Sequence, residues 1–245
     1  MERERPSYHE VFPKRHALFP VVHVRDHEQA LRNVAMARNC GADGVFLIGH
    51  NDCSYTMLLS IYEAVDAAHP DFWIGVNFLD LDPFQAIDRV PRSASGLWAD
   101  YWGIDAAPAD LGSGKYANVE PQTLWEERNT KRSDWPGLCF GGVAFKYRPQ
   151  ACDLYVATQE AVKYMDVVTT SGERTGVPPT HGKIATMRQA APEAVIAIAS
   201  GISEENVETF LDLADCFLVS TWISRDFYEF DPKRVEGLVK RIARG

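Results

Sequence analysis

Short apolar runs alternate with helical patterns along the chain from residue 18 onward. Eight of these runs have the length of β-strands, at residues 18–24, 44–49, 72–79, 96–101, 137–145, 166–170, 194–200 and 216–220. Several of them are continuously apolar, which is typical of parallel strands that are covered on both faces. A strand and helix unit that occurs eight times predicts an α/β fold of the closed (β/α)8 type, the TIM barrel.

The length of the chain agrees with one such barrel. Its 245 residues are close to the roughly 250 residues of a typical (β/α)8 barrel, and we find no linker that would divide it. We expect an N-terminal extension over residues 1–16 and a barrel over residues 17–245. Residues 103–118, followed by a polar helix at 121–131, predict a long loop after the fourth strand, either a lid over the mouth or a plain surface insertion.

Two local patterns recur within the predicted units. Proline at the first helical position marks three helix starts, at Asp82-Pro83, Glu120-Pro121 and Asp231-Pro232. An aspartate stands at the entry to three of the predicted strands, at Asp43, Asp166 and Asp215. We interpret the aspartates as a weak internal repeat of the βα unit.

Charge and composition exclude several classes of function. The formal net charge is −9, and the basic residues are scattered, so a nucleic-acid partner is not expected. No apolar run approaches the roughly 18 residues of a membrane span, and the charged N-terminus is unlike a signal segment, so we expect a cytoplasmic protein. Five cysteines without a C-x-x-C pair favour reduced thiols. The oligomeric state stays open, a homo-oligomer included.

The turns after the seventh and eighth predicted strands consist of small residues. Ser200 and Gly201 form the first turn, and Ser220 and Thr221 form the second. Val207, Phe210, Leu211 and Ala214 have the spacing of an apolar helix face, so we expect a helix after the first turn, capped by Ser203. Backbone N–H groups and a helix N-terminus at this place favour a bound anion or phosphate. Thr170, Ser171 and Gly172, after strand six, are further candidate ligand contacts.

Two histidines follow neighbouring strands. His23 ends the first predicted strand and His50 follows the second, and adjacent strands lie roughly 4.8 Å apart. The pair could act as acid and base, form a structural hydrogen bond, or bind a metal with Asp52 or Asp80. Because no recognised ligand spacing supports the metal, we expect no metal and no cofactor.

Three further side chains are candidates for catalysis. Lys146 follows the small residues of strand five and could attack a carbonyl group, neutralise a phosphate, or form an ion pair with Asp100, which follows strand four. Asp100 is itself a candidate acid or base. Glu173 lies in a loop with two glycines and two prolines, where it could exchange protons with a substrate or pair with Arg174.

Several segments together resemble one known family. They include Gly75-Val76-Asn77-Phe78-Leu79, Val143-Ala144-Phe145-Lys146-Tyr147, Ile198-Ala199-Ser200-Gly201-Ile202 and, most specific, Ser171-Gly172-Glu173-Arg174-Thr175-Gly176-Val177-Pro178-Pro179. In this order they are similar to the BtpA family, which is related to the ribulose-phosphate-binding (β/α)8 barrels such as phosphoribosylanthranilate isomerase. The resemblance implies a TIM barrel with a site at the carboxyl ends of its strands.

The chain also departs from the family pattern. Gly49-His50-Asn51-Asp52 stands where members tend to carry Glu-Asn, and Ser220 stands where sugar-phosphate barrels usually have glycine. The family includes a proposed photosystem I assembly or stability factor and proposed nucleosidase-like or phosphoribosyl-handling proteins.

Three hypotheses for the function follow. The first is an enzyme that acts on a phosphorylated sugar or ribosyl metabolite by acid-base chemistry at the mouth, whether a lyase, an isomerase, a nucleosidase or a phosphoribosyl-handling enzyme. The second is a non-catalytic assembly or stability factor. The third is a metal-dependent hydrolase that uses His23, His50 and Asp80.

Overall fold

Eight parallel strands form a closed barrel in the order of the chain. The computed structural model describes residues 5–14, 16–50, 53–104, 119–148 and 153–244. The strands are β1 (Ala17–Val24), β2 (Gly44–Gly49), β3 (Trp73–Asn77), β4 (Gly96–Ala99), β5 (Leu138–Gly142), β6 (Val167–Thr170), β7 (Ile196–Ile198) and β8 (Cys216–Val219). The predicted (β/α)8 barrel is confirmed: seven strands lie within the runs that predicted them, and β1 begins one residue before its run.

Helices connect the strands on the outside of the barrel. They are α1 (Tyr8–Val11), α2 (His27–Asn39), α3 (Tyr55–Ala68), α4 (Pro83–Arg89), α5 (Pro121–Thr130), α6 (Leu154–Ala161), α7 (His181–Ala190) and α8 (Pro232–Ile242). Most begin at a side-chain cap; Asp82, for example, accepts a hydrogen bond from Gln85 N ahead of Pro83. None of the helices in these described ranges is long and apolar enough to cross a membrane.

The alternation of side chains along the strands produces two apolar layers. One layer lies between the strands and the helices and contains Val22, Leu47, Val76 and Val168. The other fills the barrel interior with aromatic rings, among them Phe19, Phe46, Trp98 and Phe140. Glycine makes room for these rings, since a Cβ on Gly96 would lie 2.4 Å from the Trp73 ring. The interior below the mouth is therefore a packed core.

The N-terminal extension closes the bottom of the barrel. Phe12 packs edge-on against Phe19 and Trp73, with ring centroids 5.1 and 5.6 Å apart. The Arg5 guanidinium donates hydrogen bonds to the backbone carbonyls of Arg128, Arg132 and Trp135. These contacts leave the opposite end, the mouth, as the open end of the barrel.

The three repeated aspartates make the same contact at the bottom of the barrel. Asp43 accepts a hydrogen bond from Leu18 N, Asp166 from Cys139 N and Asp215 from Ile196 N. In each case the carboxylate precedes one strand and accepts the N–H of the strand before it. The aspartate pattern is therefore a structural repeat that joins β1 to β2, β5 to β6 and β7 to β8.

The connection after β7 differs from the sequence prediction. Instead of an α-helix capped by Ser203, a short 3-10 helix spans Val207–Phe210. Asn206 accepts a hydrogen bond from Ser203 N through its side chain and donates one to Gly201 O. These side-chain bonds compete with a regular helix start, so the prediction of an α-helical N-terminus beside the anion is wrong. The apolar residues that suggested the helix are nevertheless buried.

Candidate functional site

A cavity of about 270 Å³ opens at the mouth of the barrel. Its apolar floor is the top of the barrel core and consists of Val21, Ile48, Trp98, Phe145 and Leu218. Above the floor, the carboxyl ends of the strands and the loops that follow them bring polar groups together, among them His23, His50, Asp100, Lys146, Arg148, Ser200, Gly201, Ser220 and Thr221. An apolar pocket with a few convergent polar groups is the usual form of a small-molecule site.

The structure brings the two histidines together. The ring centroids of His23 and His50 lie 4.7 Å apart, and the Phe227 ring lies 4.3 Å from His23 and 5.3 Å from His50. His23 Nδ1 and His50 Nε2 are buried and have no hydrogen-bond partner among the described residues. Buried polar atoms normally have partners, so the pair is a place where a ligand group would complete the hydrogen bonding.

Both imidazoles are held in the neutral form. Burial lowers the pKa of His23 to about 4, helped by the neighbouring His50 and Lys146. Burial also lowers the pKa of His50, while the Asp100 carboxylate opposes that change. At neutral pH each ring therefore has one nitrogen that donates a hydrogen bond and one that accepts.

Asp100 has a different partner from the one predicted. Its carboxylate pairs with Arg148, at 3.1 Å, and accepts a second hydrogen bond from Asn77 Nδ2. The predicted ion pair with Lys146 is not among the ion pairs of the described residues. Asp100 therefore lines the mouth as a fixed anion whose two oxygens are both engaged.

Lys146 extends across the mouth toward β7. Its ammonium group donates a hydrogen bond to Ala199 O, at 3.2 Å, and lies 5.3 Å from the centre of the Phe145 ring. Its backbone N–H donates to Ser171 Oγ, which fixes the start of the side chain. Burial lowers the pKa of Lys146, and Asp100 and Tyr147 oppose this effect.

The backbone that carries Lys146 is strained. Ala144 and Tyr147 have φ values of +47° and +60°, which residues other than glycine adopt rarely. Such conformations cost of order 1–3 kcal/mol each and occur most often at functional sites. Contacts hold the segment in place, since Lys183 donates to Ala144 O and Tyr147 accepts a hydrogen bond from Thr175 N.

The turns after β7 and β8 retain free backbone donors. Gly201 and Thr221 line the cavity, and within the described ranges their N–H groups donate to no other group of the chain. Gly201 has a φ of +66°, and a Cβ there would lie 2.1 Å from Pro178 N, so only glycine fits this turn. Ser200 Oγ, by contrast, already donates to Arg174 O.

The predicted residues after β6 lie away from the cavity. Thr170 is on the side of β6 that faces the helices, with Val168, and Ser171 Oγ is engaged with the backbone of Lys146 and Gly172. Gly172 packs against the Val177 carbonyl. Glu173 is exposed and borders a neighbouring cavity of about 770 Å³, and the described ion pairs include none between it and Arg174.

The residues suggested as metal ligands do not assemble. Asp80 accepts a hydrogen bond from Tyr55 N at the start of α3 and does not line the cavity of the histidines. The described residues contain no group of three His, Cys, Asp or Glu side chains that could hold a metal. Asp52, and residues 105–118 of the suggested lid, lie outside the described residues.

Four residues at the mouth were not predicted from the sequence. They are Tyr147, Arg148, Trp222 and Phe227. Arg148 could have been found as a second cation two positions after Lys146. The aromatic residues carry no such signal, because Trp222 and Phe227 reach the mouth only through the fold of the loop between β8 and α8.

Larger grooves occur elsewhere but lack this convergence. A groove of about 670 Å³ at the bottom is lined by Tyr8, Met165, Val168 and Val195, and one of its two carboxylates, Asp166, is already bound by Arg128. Barrel enzymes keep their chemistry at the carboxyl ends of the strands. We therefore assign the candidate site to the smaller cavity at the mouth.

The fold and this cavity define a (β/α)8 barrel with a candidate small-molecule site at the carboxyl ends of its strands. The model of the BtpA family matches residues 146–244, a range that carries Lys146, Gly201 and Thr221. This match agrees with the resemblance to the BtpA family that the sequence motifs indicated.

A sequence relative extends the comparison. An uncharacterized protein of Thermococcus kodakarensis, TK2179, is 41% identical over 61 residues. The match covers 25% of this chain and 23% of that relative. The chain therefore aligns with about a quarter of the relative's length.

Solved structures share the fold at low sequence identity. A native KDPGal structure is 12% identical with a TM-score of 0.65, covering 93% of this chain and 94% of that one. Phosphoribosyl anthranilate isomerase from Thermus thermophilus is 14% identical with a TM-score of 0.61, covering 93% and 98%. (S)-3-O-geranylgeranylglyceryl phosphate synthase from Thermoplasma acidophilum, in complex with sn-glycerol-1-phosphate, is 11% identical with a TM-score of 0.64, covering 95% of each chain. At these identities the likeness establishes the barrel fold.

Proposed function

We propose that this protein is an enzyme that acts on a small anionic metabolite, a phosphorylated sugar or ribosyl compound, by proton transfer at the mouth of the barrel. The observation that carries the proposal is the pair of neutral, half-buried imidazoles at the wall of a cavity, each with a buried ring nitrogen that has no partner among the described residues. Groups with shifted pKa values cluster at functional sites. The phosphorylated ligand named for one structural neighbour supports the choice of substrate class.

The charge of the mouth favours an anion. With both histidines neutral, the cavity is lined by the cations of Lys146 and Arg148 and by the single carboxylate of Asp100. The local charge is therefore positive, in a chain whose net charge is −9. Low-dielectric walls strengthen this local attraction relative to water.

The phosphate would bind at the β7 and β8 side of the cavity. The free N–H groups of Gly201 and Thr221 lie there, and Lys146 reaches the same side through its hydrogen bond to Ala199 O. Backbone N–H groups bind phosphate without a long helix when a turn aims them at it. The reacting part of the substrate would then lie toward β1 and β2, against the histidines.

The two histidines are suited to different tasks. His23, with its pKa near 4, stays neutral, and because its ring also bonds the Phe227 backbone, its unpartnered Nδ1 is suited to accept a hydrogen bond from a substrate hydroxyl or amine group. The pKa of His50 is lowered by burial but supported by Asp100, so His50 is the better proton acceptor. We assign the general base to His50 and the neutral hydrogen-bond acceptor to His23.

A ligand panel with matched variants tests the proposal. A phosphorylated ligand at 100 times its Kd stabilises the folded protein by about 2.7 kcal/mol, which a thermal-shift assay detects. Ser220→Asp places a carboxylate in the anion turn and should weaken such binding at least tenfold. Ser133→Asp, on an exposed turn after α5, adds the same charge elsewhere and should leave binding unchanged.

The opposite outcomes would contradict the proposal that this protein is an enzyme. If no phosphorylated sugar or nucleotide stabilises the parent, the non-catalytic assembly or stability factor becomes the better hypothesis. If Ser220→Asp binds as tightly as the parent, the anion lies elsewhere. The cytoplasmic location and the absence of a nucleic-acid partner stay predictions.

A further inference from the structure

We infer that Lys146 is an imine-forming nucleophile and that the substrate carries an aldehyde or ketone group in addition to its anionic group. The inference rests on the proposed function, because it places the carbonyl between the anion turns and the histidines. It assigns covalent chemistry to a side chain that the acid-base account uses only as a charge.

The position of the amine supports this assignment. Lys146 lines the mouth cavity, and its Nζ is held by one neutral acceptor, Ala199 O, beside the Phe145 ring. The nearest carboxylate of the cavity, Asp100, is engaged by Arg148 and Asn77. A lysine that served only as a structural ion-pair partner would be expected to contact that carboxylate directly.

The surroundings increase the share of Lys146 that is present as the neutral amine, while its ammonium form supplies charge to the anion site. Burial lowers the pKa of Lys146, while Asp100 and Tyr147 act in the opposite direction. Desolvation of this kind is a recognised way to activate a lysine as a nucleophile. A neutral amine that donates one N–H to Ala199 O keeps its lone pair available for attack.

The histidines complete the proton transfers. Nζ attacks the carbonyl carbon, the carbonyl π pair moves to oxygen, and one proton passes from nitrogen to oxygen to give a carbinolamine. His23 Nδ1 can accept a hydrogen bond from the new hydroxyl group, and His50 can move the proton. Loss of the hydroxyl group with one proton then forms the imine, so the balance is amine plus carbonyl to imine plus water.

Lys183 offers a matched internal control. It too is partly buried, but its ammonium donates to two backbone carbonyls, Ala144 O at 2.6 Å and Ser171 O at 2.7 Å. It borders the neighbouring cavity rather than the mouth. Lys183 is therefore bound as a structural cation, and it should react slowly.

Reductive trapping of the full-length protein tests the inference. The protein is incubated at pH 7 with dihydroxyacetone phosphate or glyoxylate and cyanoborohydride, and the labelled peptides are mapped by mass spectrometry. We expect Lys146 to be modified at least tenfold faster than Lys183 or the exposed lysines. Lys146→Arg should lose the fast label, and Lys183→Arg should keep it.

A competition experiment needs no variant and separates this inference from the proposed function. Glycerol 3-phosphate has the anion but no carbonyl, so an excess should stabilise the protein and slow labelling of Lys146 at least tenfold. Stabilisation by glycerol 3-phosphate without fast labelling of Lys146 would overturn the imine and leave the anion site standing. If glycerol 3-phosphate does not stabilise the protein and Lys146 is not labelled fast, both the imine and the anion site are overturned. The same holds if the labelling rate of each lysine follows its exposure alone and glycerol 3-phosphate does not stabilise the protein.

Discussion

The two ends of the barrel are built from similar residues, but the aspartates at the bottom and the histidines at the mouth differ in their hydrogen bonding. At the bottom, the carboxylates of Asp166 and Asp215 each accept a backbone N–H and pair with an arginine. At the mouth, the ring nitrogens of His23 and His50 are buried without partners. The paired carboxylates stabilise the fold at the bottom, and the ring nitrogens without partners at the mouth are available to a ligand.

Backbone geometry also differs between the mouth and the bottom of the barrel. The non-glycine residues with positive φ in the described part of the chain, Ala144 and Tyr147, both follow β5 at the mouth. The bottom is closed instead by the aromatic contacts of Phe12 with Phe19 and Trp73. Backbone strain at non-glycine residues of the described ranges is therefore concentrated at the mouth.

The largest expected effect lies at the bottom. Asp166→Ala leaves the buried Arg128 guanidinium without its carboxylate, and removing one partner of a buried pair typically costs 3–5 kcal/mol. We expect a loss of about 3–5 kcal/mol in the free energy of unfolding, measured by urea denaturation. Ligand binding at the mouth should not change.

Asp43→Ala is the matched control for this variant. It removes the equivalent hydrogen bond to Leu18 N, but its ion-pair partner Lys14 is largely exposed. We expect a loss of about 1–2 kcal/mol. Equal losses for the two variants would show that the buried arginine does not set the stability of this end.

The next effect is a loss of folding stability at acid pH, which arises from His23 at the mouth. His23 has a pKa of about 4 in the folded protein and about 6.5 when unfolded, so the unfolded state binds more protons between these values. Stability should be fully retained above pH 6.5 and fall by about 3 kcal/mol as the pH drops to 4. Burial, the His50 ring and the Lys146 ammonium all act against protonation of His23.

His23→Asn removes this titration and serves as the comparison. The difference in unfolding free energy between parent and variant should change by about 3 kcal/mol between pH 7 and pH 4. The shared titration of other groups cancels in this difference. Parallel pH profiles would mean that His23 is solvated and titrates normally.

The sequence predicted the barrel because the patterns that indicate its strands and helices are local in the chain. Apolar runs of strand length, proline at helix starts and aspartate before strands each reflect one element and its nearest neighbour. The α-helix expected after β7 failed because the side chain of Asn206 bonds Ser203 N and Gly201 O and replaces the helix start. An apolar spacing shows which residues are buried, but it does not show this competition.

The candidate site was predicted only in part for a related reason. His23, His50 and Lys146 lie at strand ends, where position in the chain fixes position at the mouth. An ion pair of Asp100 with Lys146 was one of the alternatives, but Arg148 reaches Asp100 instead, through a loop with two positive φ angles. Phe227 stacks beside His23 from a loop whose fold no periodic pattern encodes.

The central claim is that the mouth binds an anionic substrate between the histidines and the turns after β7 and β8. A titration of the labelled protein with glycerol 3-phosphate, followed by NMR of the backbone amides and imidazole rings, tests it most directly. The account predicts saturable shifts at Gly201, Thr221, His23 and His50, with the groove around Met165 and Val195 unchanged. Shifts confined to that bottom groove, or no saturable shift at the mouth, would contradict it.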